Sequence, residues 1–112
     1  MPNSKTLEFT PEFKRNLRLL SRKYRHIRLD LEPLLDELQE GKTPGDQVTG
    51  TGYVVFKVRV KNSDVQRGKS GGYRVIYYLV TDERIILVTI YSKTEQSDVS
   101  IRKIRQIITQ MD

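Results

Sequence analysis

Between Tyr53 and Ser92 the hydrophobic rhythm of the chain changes, and that change limits what it can fold into. The stretch "YVVFKVRV" (53–60) alternates, with Val54, Phe56, Val58 and Val60 on one side and Tyr53, Val55, Lys57 and Arg59 on the other, as a half-buried strand requires. "YRVIYYLV" and "IILVTIYS" are apolar on both faces, like central strands, and "TDER" between them reads as a hairpin turn. Upstream the spacing is helical. "TPEFKRNLRLLSRKY" opens with Thr10 as N-cap and Pro11 at the first helical position. Phe13, Leu17, Leu20 and Tyr24 then share one face, with Lys14, Arg15, Arg18, Arg22 and Lys23 around the rest.

A second helix is predicted from about Ile27 to Glu40 on the stripe Ile27, Leu31, Leu34, Leu35 and Leu38, with Gly41 as its stop. Pro33 asks for a start near Asp30, which puts it in the first turn, or for a kink. The two helices, joined by a few residues, predict an antiparallel hairpin. "KTLEF" offers a short first strand, and "GKTPGDQVTGTG" reads as a turn-rich connection. "SDVSIRKIRQIITQM" predicts a last helix, capped by Asp98 or Ser100, with the stripe Ile101, Ile104, Ile108 and Met111. The expected architecture is one α+β domain over residues 1–112. It has an antiparallel sheet of three to four strands, an N-terminal helical hairpin packed on one face, and a C-terminal helix.

Composition removes several chemistries. Without cysteine there is no disulfide framework, thiol nucleophile or thiolate metal site, and His26 is the single histidine. No apolar run reaches the roughly 20 residues of a membrane span, and "MPNSKTLEF" lacks the apolar core of a signal peptide. A cytoplasmic protein with no membrane partner, cofactor or metal is expected. The formal charge of +6 is unevenly spread. Between Tyr53 and Arg74 stand Lys57, Arg59, Lys61, Arg67, Lys69 and Arg74 against Asp64 alone, whereas Asp30–Glu40 carries five acids and no base. A basic half of this kind favours a polyanion such as nucleic acid.

If "TDER" closes symmetrically, Arg74 falls opposite Tyr91 and Ile76 opposite Thr89, cross-strand pairs with Cβ atoms about 5 Å apart. A helix-free sheet face would then collect Lys57, Arg59, Arg74, Tyr91 and Lys93, joined by Lys69 from the Gly-rich loop, with no carboxylate among them. A three-residue turn would shift the parity and scatter the set. Guanidinium forks and ammonium groups bind phosphate oxygens, and tyrosine stacks on bases. RNA cleavage by internal attack needs a base for the 2′-OH proton, charge stabilisation at the phosphorane and an acid for the leaving oxygen. Lysine among cations and arginine suit such work.

"FKVRV", "GKSGGYRVIYYLV" and "LVTIYSKTEQSDVS", in that order, resemble the successive strand motifs of RelE/ParE-superfamily toxins of bacterial toxin–antitoxin pairs, in particular the RelE and HigB-like branches. The helical hairpin with its acidic, proline-containing second helix resembles them too. The resemblance implies a ribosome-dependent mRNA endonuclease that works without metal. It implies Arg74 at the phosphorane, Lys57 or Lys69 as base, and Tyr91 stacking on or orienting a nucleotide. Arg59 and Lys93 would hold phosphate, with Lys61 and Arg67 as further substrate contacts. It also implies a cognate antitoxin, usually with a DNA-binding domain, and operator DNA bound through the toxin–antitoxin complex. Two other readings stay open: a gyrase poison on the same fold, and a non-catalytic nucleic-acid-binding module.

Overall fold

Residues 5–65, 72–96 and 98–111 are described by the structure, a computed structural model. In chain order they form β1 (Thr6–Phe9), α1 (Pro11–Lys23), α2 (Ile27–Gln39), β2 (Asp46–Val48), β3 (Val55–Val60), β4 (Tyr73–Leu79), β5 (Arg84–Ser92) and α3 (Ile101–Thr109). The start of α1 is set as expected: Thr10 Oγ1 accepts the Phe13 N–H at 2.9 Å, with Pro11 at N1. Helix α2 runs through Pro33 from Ile27, so it starts earlier than the Asp30 alternative. Its C-terminus closes in a Schellman motif, Gly41 N to Leu38 O and Lys42 N to Glu37 O, both 3.0 Å, with Gly41 at φ 89°. Among the described residues no helix is long and apolar enough to cross a membrane.

The sheet differs from expectation in three ways. It has five strands in the order β1-β5-β4-β3-β2, and β1 lies parallel to β5, so it is mixed rather than antiparallel. The segment Asp46–Val48, read as turn, is an edge strand paired with β3. The third difference matters most for function, because the helices do not share one face. Phe13, Leu20, Ile27, Leu31, Leu34 and Leu38 of the hairpin pack with Val60, Tyr73, Val75, Tyr77, Leu87 and Ile90. Ile104, Ile107 and Ile108 of α3 pack with Val55, Ile76, Ile86, Val88 and Tyr91 on the opposite side. Ile101, expected in the stripe, is 43% exposed, and Ile107 takes the buried position instead. The helix-free face is therefore corrected to a face covered by α3 over part of its length. The physical cause is visible in β4 and β5, whose second face is apolar at Ile76 and Ile86 and must be buried by something.

The hairpin register carries a compensation. Val80 N donates to Arg84 O at 3.0 Å, so the turn spans residues 81–83, one residue short of a symmetric "TDER" closure. Tyr77 pairs with Leu87, Tyr78 with Ile86 and Leu79 with Ile85 on this shifted parity. Between Ile76 and Tyr77 the register slips again, leaving Val88 as an extra residue in β5, a β-bulge. From there Ile76 meets Thr89 and Arg74 meets Tyr91. The three-residue turn does occur, and the bulge undoes its effect.

Near the site, Gly45 holds φ 96°, and a Cβ there would stand 2.4 Å from Lys57 O. Gly52 has a similar φ of 86° with open space around it. Gly45→Ala should therefore cost about 3 kcal/mol or more in urea unfolding and Gly52→Ala only about 1 kcal/mol. Equal losses would mean that the approach of Gly45 to the Lys57 backbone is not needed.

Candidate nucleic-acid interface

Three adjacent strands bring candidate residues into one row. Arg59 of β3 pairs with Arg74 of β4, and Arg74 pairs with Tyr91 of β5. Lys57, two residues along β3, lies on the same face and pairs with Ile76. The row sits where the α3 cluster ends: Val55, Ile76 and Ile86 are under the helix, whereas Arg59 is exposed. Two arginines directly opposite each other repel. Among the described residues neither forms an ion pair.

Exposure divides the set. Arg74 is 7% exposed and its Nη1 donates to Tyr73 O at 3.2 Å, while Tyr91 is 4% exposed with its ring in the α3 cluster. Neither is the open surface group that the sequence suggests, and a buried ring does not offer a face for stacking. The Lys57 side chain keeps 35% of its surface. Lys61 is exposed just beyond β3, and Lys93 is half-buried just beyond β5, its N–H bonded to Gly72 O at 3.0 Å. Arg67 and Lys69 lie outside the described residues.

The expectation of a carboxylate-free cluster is overturned by Asp98. Its Oδ1 accepts from Tyr91 OH at 2.8 Å, from Lys57 Nζ at 3.2 Å and from the Val99 N–H at 2.9 Å, and its Oδ2 lies 3.4 Å from Lys57 Nζ. Sequence reasoning offered Asp98 only as a helix cap. Ser100 takes that task, accepting Lys103 N at 3.1 Å, so the Asp98 carboxylate is left to face the sheet. The signal lay in "SDVS", where two capping residues compete for one helix end. The hydrogen bond from Tyr91, helped by Val99 and Lys57, holds the Asp98 carboxyl below its ordinary 3.8. Burial first, and then the Asp98 contact, push the Tyr91 phenol upward, so it stays a proton donor.

Beside Tyr91 a cleft of about 490 Å³ lies between α1 and the approach to α3, lined by Glu12, Asn16, Thr89, Tyr91, Asp98 and Lys103 among others. Glu12 accepts from Thr89 Oγ1 at 3.1 Å and faces Lys103 Nζ at 3.4 Å. Just beyond the C-terminal end of β3, His26 Nδ1 meets Asp64 Oδ1 at 2.6 Å, and Asp30 Oδ2 accepts from Ser63 N at 2.9 Å. The stem of the basic loop is thus fastened to the turn between α1 and α2, and these two acids serve structure.

Asp98, Asp64 (held down chiefly by the His26 N–H) and Glu8 (by Arg84) all titrate below their ordinary values of 3.8, 3.8 and 4.5. A depressed carboxylate adds stability above its unfolded value and loses it as pH falls through the folded one. The urea midpoint should therefore hold from neutral pH to about 5 and drop below about pH 4. Asp98→Asn should remove part of that drop, and an unchanged acid profile would mean that the Asp98 contacts do not form in solution.

The fold and this basic row can be set beside known families. A family model described as the RelE toxin of the RelE/RelB toxin–antitoxin system matches residues 13–110. The match runs from the first turn of α1 to the end of α3 and so includes every strand that contributes to the row. The chain belongs to the RelE toxin family, the toxin half of a toxin–antitoxin pair.

Proposed function

We propose that this toxin is an endoribonuclease that stops translation by cutting ribosome-bound messenger RNA through attack of a 2′-OH on its neighbouring phosphate. A cognate antitoxin with a DNA-binding domain would restrain it, and the complex would bind operator DNA. The observation that carries the reading is the row Arg59–Arg74–Tyr91 with Lys57 on the same face. Two guanidinium groups held opposite one another without a carboxylate between them are costly to the fold and well suited to a phosphorane. Arg59 meets the phosphate from the surface, and Arg74 contributes its charge from beneath. Lys57 is the proton-transfer group. Lys61 and Lys93 hold the backbone on either side of the scissile linkage, and Arg67 and Lys69, outside the described residues, are further substrate contacts. Tyr91, enclosed by α3, acts by fixing Asp98 rather than by stacking.

The exposed basic residues Lys14, Arg15, Arg18 and Arg22 of α1 give a second run of cations, suited to the RNA of a ribosome. Internal attack needs no metal when base, acid and charge stabilisation all come from side chains. Gyrase poisoning would require none of this proton-transfer machinery.

Lys57→Ala should lower message cleavage by about two orders of magnitude or more, in line with the loss of a general acid or base. Growth arrest on expression should vanish with it. Primer extension on messages from induced cells, and on purified message with and without ribosomes, measures this directly. A folded Lys57→Ala protein that still arrests growth and still produces cut ends would remove Lys57 from the chemistry. DNA damage signalling without cut messages would favour the gyrase reading instead.

A further inference from the structure

We propose that Asp98 is the general base of this reaction and that Lys57, in contact with it, is the general acid. The inference rests on the ribonuclease reading above and divides proton transfer between two residues. Of the groups around the row, Asp98 is the carboxylate, and it is reachable: its side chain is 56% exposed. Its two oxygens are not equivalent. Oδ1 is engaged by the Tyr91 hydroxyl, the Val99 N–H and Lys57, whereas among the described residues Oδ2 has the 3.4 Å contact with Lys57 alone. The phenol and the backbone therefore fix the carboxylate by one oxygen and leave the other turned toward the ammonium and solvent.

Lys57 is the donor in this pair and Asp98 the acceptor, and that polarity suits the two ends of an in-line displacement. Asp98 Oδ2 takes the proton of the 2′-OH, and the 2′-oxygen forms a bond to the adjacent phosphorus. The bond from phosphorus to the 5′-oxygen breaks, and that oxygen takes a proton from Lys57 Nζ. The products are a 2′,3′-cyclic phosphate and a 5′-hydroxyl. The carboxylic acid then returns its proton from Oδ2 to the lysine amine across the 3.4 Å contact, and both groups are restored. No other reactant is consumed. The lowered titration of Asp98 keeps it ionised, and so able to accept a proton, throughout the neutral range.

In the opposite role, a carboxylate seated on Lys57 would merely occupy the place of a phosphate and block it. The two roles predict opposite effects, so one set of variants separates them. The test is single-turnover cleavage of ribosome-bound message by the full chain as wild type, Asp98→Asn, Asp98→Glu and Asp98→Ala, with binding of a short RNA measured in parallel. Asp98→Asn and Asp98→Ala should lose about 10²-fold or more in cleavage rate while RNA affinity is kept or increased. Asp98→Glu should recover part of the rate. Added formate should restore activity to Asp98→Ala, and formamide of the same size should not, a readout that a purely positioning role would not give. Wild-type rates in Asp98→Asn, a gain in rate in that variant, or absence of formate rescue would each overturn the assignment. A wild-type chain that cuts no RNA, with or without ribosomes, overturns the ribonuclease reading itself and this inference with it.

Discussion

The arrangement depends on how far the apolar cover of the central strands extends. β4 and β5 are buried on both sides, by the α1–α2 hairpin beneath and by α3 above, but α3 is short. At the edge of that cover, where Tyr91 still packs against its isoleucines, the same strand faces continue with Arg74, flanked by Lys57 and Arg59. Polar function begins at that boundary because a strand face left by its helix needs no apolar residues. The residues just inside it gain rigidity, since side chains packed against a helix lose the freedom that a surface arginine has.

That boundary also explains the mixture of buried and open groups. Arg74 and Tyr91 lie on the central strands and are enclosed, while Lys57 and Asp98 lie on the outer side and on the lead-in to α3 and remain accessible. Charge is handled by proximity and not by pairing every cation. Asp98 answers Lys57, and the two opposed arginines are left with their repulsion, an unfavourable term the folded chain tolerates and an anion would relieve. Sites that break a local rule of stability in this way are where binding chemistry is expected.

Much of this was legible in the sequence. Period and caps identified α1, α2, α3 and the three long strands, because each spans enough residues for its repeat to be counted. Asp46–Val48 was not legible, since three residues among glycines carry no period. The parallel pairing of β1 was hidden for another reason: four residues show a strand but not its neighbour. Apolar Ile76 and Ile86 did announce that the second face needed covering, and reading that face as helix-free overlooked it. The juxtaposition of Lys57, Arg59, Arg74 and Tyr91 was legible from alternation, and the expected register holds only because the bulge at Val88 offsets the three-residue turn. Asp98 was missed because its place is set by a loop whose path depends on where α3 docks.

The extra residue at Val88 bears on how relatives of this chain can vary. The hairpin tip and the functional row belong to opposite parities, joined by one inserted position. With the three-residue tip kept, dropping Val88 would restore an unbroken ladder in which Tyr91 still stands abreast of Arg74, and moving the extra residue from the bulge into the tip would leave the same pair. Relatives of this chain are therefore expected to gain or lose a residue at the bulge without the phenol leaving Arg74, so that the pairing outlives the exact spacing of the two residues along the chain.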